Sequence, residues 1–162
     1  MSASSLKAKL AEYARRAHTM SKATTKIGVL GGNYEDKEKT PVAYVAAIQE
    51  YGSPAQNIPP RPFMRPTVAK YKGEWADIMR DGMKDIIEGR KTITHILDVV
   101  GDRGAMDMKT TISQVTSPPL SPVTIKRRMA KTKDKGKGGG SFDKPLEDTF
   151  TLFDSINHKV DE

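Results

Sequence analysis

A chain of 162 residues with a 36% apolar share suffices for one domain around a modest core, since about 45–50% apolar (glycine included) is usual. It has no cysteine, which excludes a disulfide framework, a thiolate metal site and a cysteine nucleophile. No run approaches the ~18 apolar residues of a membrane span, and the N-terminus lacks the apolar segment of a signal peptide, so a soluble protein of the cytoplasm, or of a particle assembled there, is expected.

The net charge of +7 suggests nucleic acid until it is mapped. Residues 1–26 carry Lys7, Lys9, Arg15, Arg16, Lys22 and Lys26 against Glu12. Residues 126–137 carry Lys126, Arg127, Arg128, Lys131, Lys133, Lys135 and Lys137 against Asp134. The span between is balanced, and the segment after it is acidic. Two basic patches opposed by an acidic tail suit head-to-tail contact between copies, or an acidic partner, at least as well as DNA.

In chain order, Leu6, Leu10, Tyr13, Ala17 and Met20 recur at three- and four-residue steps and predict an amphipathic helix over 4–22. It reads as a core-covering helix with a solvated basic face. Residues 26–32 predict a strand ending in a glycine turn. Gly28, Gly31 and Gly32 do not form a phosphate loop, because no Gly-Lys-Ser/Thr and no helix follow. Glu35 to Lys39 reads as a solvated loop. Residues 42–51 mix helix and strand formers, but Pro41 before them and Gly52 after them favour a short helix.

The stretch 52–66 holds half of the ten prolines. Each proline fixes φ, removes a donor and disfavours helix in the residue before it. The expectation is a stiff, extended arm that docks on a neighbouring surface through Ile58, Arg61, Phe63, Met64 and Arg65. A plain interdomain spacer is the simpler reading.

Residues 67–88 predict a long helix with Thr67 as cap, Trp75 in the core and Gly89 at its end. Residues 92–115 predict a second, capped by Thr92, with Gly101 and Gly104 permitting a close crossing or a kink. Their short connection favours an antiparallel pair. Pro118 and Pro119 stop the second helix; Ser121 caps a short one with Pro122 at its first position, pointing three basic residues outward. Residues 129–143 are rich in Lys and Gly and predict a flexible loop. A strap that orders on a partner or near DNA and a solvated linker are both compatible with it. Leu146, Phe150 and Phe153 repeat at helical spacing, then Ile156, His158 and Val160 alternate as an edge strand.

No Ser/His/Asp constellation, metal cluster or phosphate cradle is visible, and His18, His95 and His158 stand in unrelated contexts. Neither an enzyme nor a cofactor is expected. The fold class that follows is α+β: a small antiparallel sheet packed against an N-terminal helix and a central pair of long helices. A single domain over 1–162 carries the arm 52–66 and the loop 129–143.

Four segments in order carry a resemblance: Tyr44 to Gly52, the Pro-rich Ile58 to Pro66, Pro118 to Arg127, and Lys144 to Ile156. Over residues 26–160 the chain resembles the neck and tail-completion proteins of long-tailed bacteriophages, also called tail-component or virion morphogenesis proteins. The resemblance implies a structural virion protein, made in the host cytoplasm. It implies a homo-oligomeric ring, hexameric by family expectation, at the head–tail junction. Its partners would be the tail tube or tail terminator, the head-closure and connector proteins, and DNA in the channel, with no membrane. The basic residues Lys126 to Lys137 would meet DNA or an acidic partner; a nucleic-acid-binding module using them is the alternative reading. Where the family pattern has a glycine, this chain has Phe150.

Overall fold

The computed structural model describes residues 3–35, 38–135, 143–148 and 150–161. Helix α1 spans Ala3–Lys22, strand β1 Thr24–Val29, and α2 Val42–Tyr51. Helices α3 (Met64–Ile87) and α4 (Ile93–Gln114) follow, then α5 (Pro122–Lys135), α6 (Thr151–Asp154) and strand β2 (Ile156–Asp161). The α+β expectation holds. The two strands pair antiparallel, with Thr24 opposite Asp161 and Val29 opposite Ile156.

Helix α4 covers both strands, and α3 packs along α4. One core cluster joins Val42 and Ala46 of α2, Phe63, Ala105, Met108 and Ile112 of α4, and Leu152 and Ile156 near the C-terminus. A second gathers Ile86, Ile93, Ile96 and Leu97 at the turn between the long helices.

The glycines of the long helices explain how closely these layers approach. A Cβ at Gly82 would stand 2.7 Å from the side chain of Ile96, so here α3 meets α4. Gly101 and Gly104 admit the sheet rather than a crossing helix. A Cβ at Gly101 would lie 2.2 Å from the ring of His158, and one at Gly104 2.5 Å from Ile27. His158 thereby sits between Asp98 and Asp102 of α4, at 3.3 and 3.4 Å.

Four expectations are corrected. Helix α1 does not cover the core along its length: Met20 packs against the second cluster, while Leu6, Leu10 and Tyr13 are 54%, 59% and 48% exposed. Helix α3 begins at Met64, with Pro66 in its first turn, where a missing N–H loses no helical bond. Thr67 is therefore not its cap but a buried residue whose hydroxyl donates to the carbonyl of Phe63 and pairs with Thr111. Residues 129–135, expected as loop, continue α5; the rest of the expected loop, apart from Asp143, lies outside the described residues. Finally, the helical run expected from Leu146 is interrupted. Leu146 (φ 32) and Phe150 (φ 56) are left-handed, and only Thr151–Asp154 is helical. Phe150 thus keeps the backbone angle that a glycine would adopt freely, at a cost of about 1 kcal/mol, and packs edge-on against Phe153.

Glycine substitutions separate close approach from helix propensity. Gly101→Ala should destabilise the chain by about 1–3 kcal/mol through overpacking. Gly73→Ala, on α3 with nothing within 4 Å, should stabilise it by about 0.5–1 kcal/mol. Urea denaturation measures both; equal effects would contradict the packing described.

Candidate functional site

The proline stretch is pinched rather than extended. It leaves α2 at Gly52 (φ +78), where a Cβ would stand 2.9 Å from the nitrogen of Pro60, so a side chain is excluded both by angle and by space. Ser53 and Ile58 exchange both backbone bonds, at 2.8 and 3.0 Å, around a single 3₁₀ turn, Pro54–Gln56. The N–H of Arg61 then donates to the carbonyl of Gln49 at 2.6 Å, tying the chain back onto α2. The solvent-facing part is the tip, with Pro54, Pro59 and Pro60 exposed.

Glu50 sets the direction of the next helix. It is 1% exposed. Its carboxylate accepts from the N–H groups of Phe63, Met64 and Arg65 at 2.7, 2.9 and 3.1 Å. It also accepts from Nε of Arg65 at 2.9 Å. The first N–H groups of a helix have no partner within it and form its positive end. Here α2 supplies a buried anion to cap α3. Burial pushes the Glu50 carboxyl up, but the bonds from Met64, Phe63 and Arg65 outweigh it and hold it below the usual carboxylate range. Arg65 completes the clasp by donating to the Glu50 carbonyl at 2.9 Å and lying over the Tyr51 ring.

Two arginines from different expected sites meet at a cavity of about 340 Å³. Arg61 donates to the carbonyls of Pro118 and Pro119 at 2.8 and 3.0 Å, just after the cis Ser117–Pro118 bond. Arg128 donates to the carbonyl of Lys144 at 2.7 Å and lies 3.4 Å from Asp148. Burial, then the neighbouring Arg128, lowers the pKa of Arg61. Burial, then Asp148, raises that of Tyr34 in the same wall. Each guanidinium therefore ties a distant loop to the body: Arg61 holds 118–119 and Arg128 holds 144–148.

The expected contact residues are thus divided. Phe63 is 0% and Arg61 6% exposed; they are an internal core residue and an internal clamp, not outward anchors. Ile58 and Met64 are half-buried, Met64 packing on the core. Arg65 is exposed. Of the basic set, Lys126 and Arg127 are exposed on α5, whereas Arg128 turns inward with a side chain 12% exposed. Lys131, Lys133 and Lys135 belong to the backbone of α5, and Lys137 lies outside the described residues. Sequence reasoning missed Glu50 and Asp107. The latter is buried and receives Nε1 of Trp75 at 2.8 Å together with Arg103. The donors to Glu50 lie 13 to 15 residues away, and Trp75 lies 32 residues from Asp107. Only the Arg103–Asp107 pair, four residues apart on α4, is a local pattern, and by itself it reads as a surface ion pair.

The surface offers what the interior does not. Leu6, Leu10 and Tyr13 form an exposed apolar stripe on α1. The helix is held at its other end, where Arg16 donates to the carbonyls of Ile86 and Ile87 at 3.4 and 3.0 Å at the negative end of α3. Among the described residues no group of three His, Asp or Glu could hold a metal ion, and no described helix is long and apolar enough to cross a membrane. Comparison of the chain with protein-family models, curated proteins and solved structures returned no match.

Glu50→Gln should cost about 2 kcal/mol at neutral pH, by weakening bonds that need the charge. Because the folded pKa is depressed, this stabilisation is present above the ordinary Glu pKa and is lost as pH falls through the lower folded value. The gap between wild type and Glu50→Gln in chemical denaturation should narrow accordingly on acidification. Phe63→Ala should cost about 3–5 kcal/mol; a variant as stable as wild type would contradict burial of that ring.

Proposed function

We propose that the chain is a non-enzymatic structural subunit of a virion neck, forming a homo-oligomeric ring that joins the tail tube or tail terminator to the head connector around the DNA channel. The observation that carries it is the stripe Leu6, Leu10 and Tyr13, about half exposed on a helix that Arg16 anchors near its far end. An apolar stripe left open on a soluble chain marks a surface that another protein covers. The four ordered motifs of the neck and tail-completion resemblance supply the context, and sixfold symmetry comes from that resemblance. The pinched proline loop enters as a rigid tip at the surface, not as an arm across a neighbour.

A second reading, a nucleic-acid-binding module, draws on Lys126 and Arg127, exposed on α5. The inward turn of Arg128 removes one of its three leading cations. Sedimentation velocity over a concentration series, with electron microscopy of the chain mixed with purified tail tubes, tests the first reading. Rings or capped tubes are expected. A chain that stays monomeric, leaves tubes bare and binds duplex DNA with a steep loss of affinity on adding salt would overturn it in favour of the second.

A further inference from the structure

Resting on the ring reading, we infer that the stripe of α1 docks on the outer face of α4 in the next copy of the chain, and that this is the repeated contact of the ring. The outer face of α4 is not plain solvent surface. His95, Val99, Asp102 and Met106 follow one another along it at helical steps and are all exposed. Val99 is 40% and Met106 65% exposed.

The match is one of spacing and of charge. Leu6 and Tyr13 are two helical turns apart, as are Val99 and Met106, which puts each pair ~10 Å apart along its axis. The α1 stripe is flanked by Lys7 and Lys9, both exposed, while Arg15 is paired with Glu12 and Arg16 is held on α3. The α4 stripe is flanked by Asp98 and Asp102; each has one carboxylate oxygen within 3.3–3.4 Å of the His158 ring, but their side chains are still 52% and 81% exposed.

Two other exposed apolar groups lack this complement. Val123 and Met129 stand on α5 beside Lys126 and Arg127, the same sign as α1. Tyr51 lies beside Arg65, and the only carboxylate of α2, Glu50, is buried. The α4 face, unlike these two, combines large apolar side chains with exposed carboxylates.

Two different faces that fit one another make a heterologous contact, which closes into a ring or runs on as a filament and does not stop at a dimer. That gives the test its form. One variant, Leu6→Gln with Leu10→Gln, removes the α1 stripe; another, Val99→Gln with Met106→Gln, removes the α4 stripe. All four side chains are exposed, so circular dichroism melting should match wild type for both and verifies that folding is intact.

Wild type should assemble. Each variant alone should stay monomeric, with self-affinity weakened at least about 100-fold. An equimolar mixture should give a dimer and nothing larger, because only one intact pair of faces remains. Sedimentation velocity reads all three. Wild type that assembles while either variant assembles equally well would overturn the assignment of faces and leave the ring reading standing. A mixture that stays monomeric would overturn the pairing of α1 with α4. A wild type monomeric at every concentration would overturn the ring reading itself.

Discussion

The structure depends on one buried carboxylate. Glu50 ends α2 and caps α3, so the angle between these helices is set by hydrogen bonds from three successive N–H groups. A buried anion without partners would be costly; here the partners are those that a helix start always leaves unmet. Everything downstream inherits that placement. Phe63, the residue before α3, is delivered into the main cluster beside Met108 and Ile112. Thr67, one turn on, reaches Thr111. Helix α4 then receives the sheet on its glycine side. The prolines between Gly52 and Pro66 serve the same end. They stiffen a loop that must turn back on α2, and they leave few donors to satisfy.

A second constraint comes from arginine used as a clamp. Arg16, Arg61 and Arg128 each donate to backbone carbonyls far away in sequence. A planar guanidinium with several donors suits this task better than lysine. The basic count of the chain therefore overstates the charge offered to a partner. Beside these clamps, outward cations include Lys7, Lys9 and Lys22 on α1, Lys72 and Lys84 on α3, and Lys126 and Arg127 on α5.

Much of the element plan was legible in the residues. The apolar spacing of α3 and α4, the Thr92 cap, Gly89 as a stop and Ser121 before Pro122 each act within a few positions, and each stands where expected. Legibility ended where a residue's role depends on something distant. Phe63 and Arg61 looked like outward anchors because their neighbours are prolines and cations; their burial follows from Gln49 and Glu50 drawing the loop inward. The stripe on α1 looked like core because periodicity reports amphipathicity without naming what covers the apolar face. Phe150 looked helical by spacing, yet its backbone is left-handed.

By itself, the sequence determined the class of the fold, the count and type of its main elements and the glycines and prolines that punctuate them, because those depend on steric and hydrophobic rules acting over one or two turns. Tertiary structure alone decided which apolar side chains are inside and which cations face outward. Burial is a property of the assembled layers, and a carboxylate such as Glu50 finds its partners only after two helices have met.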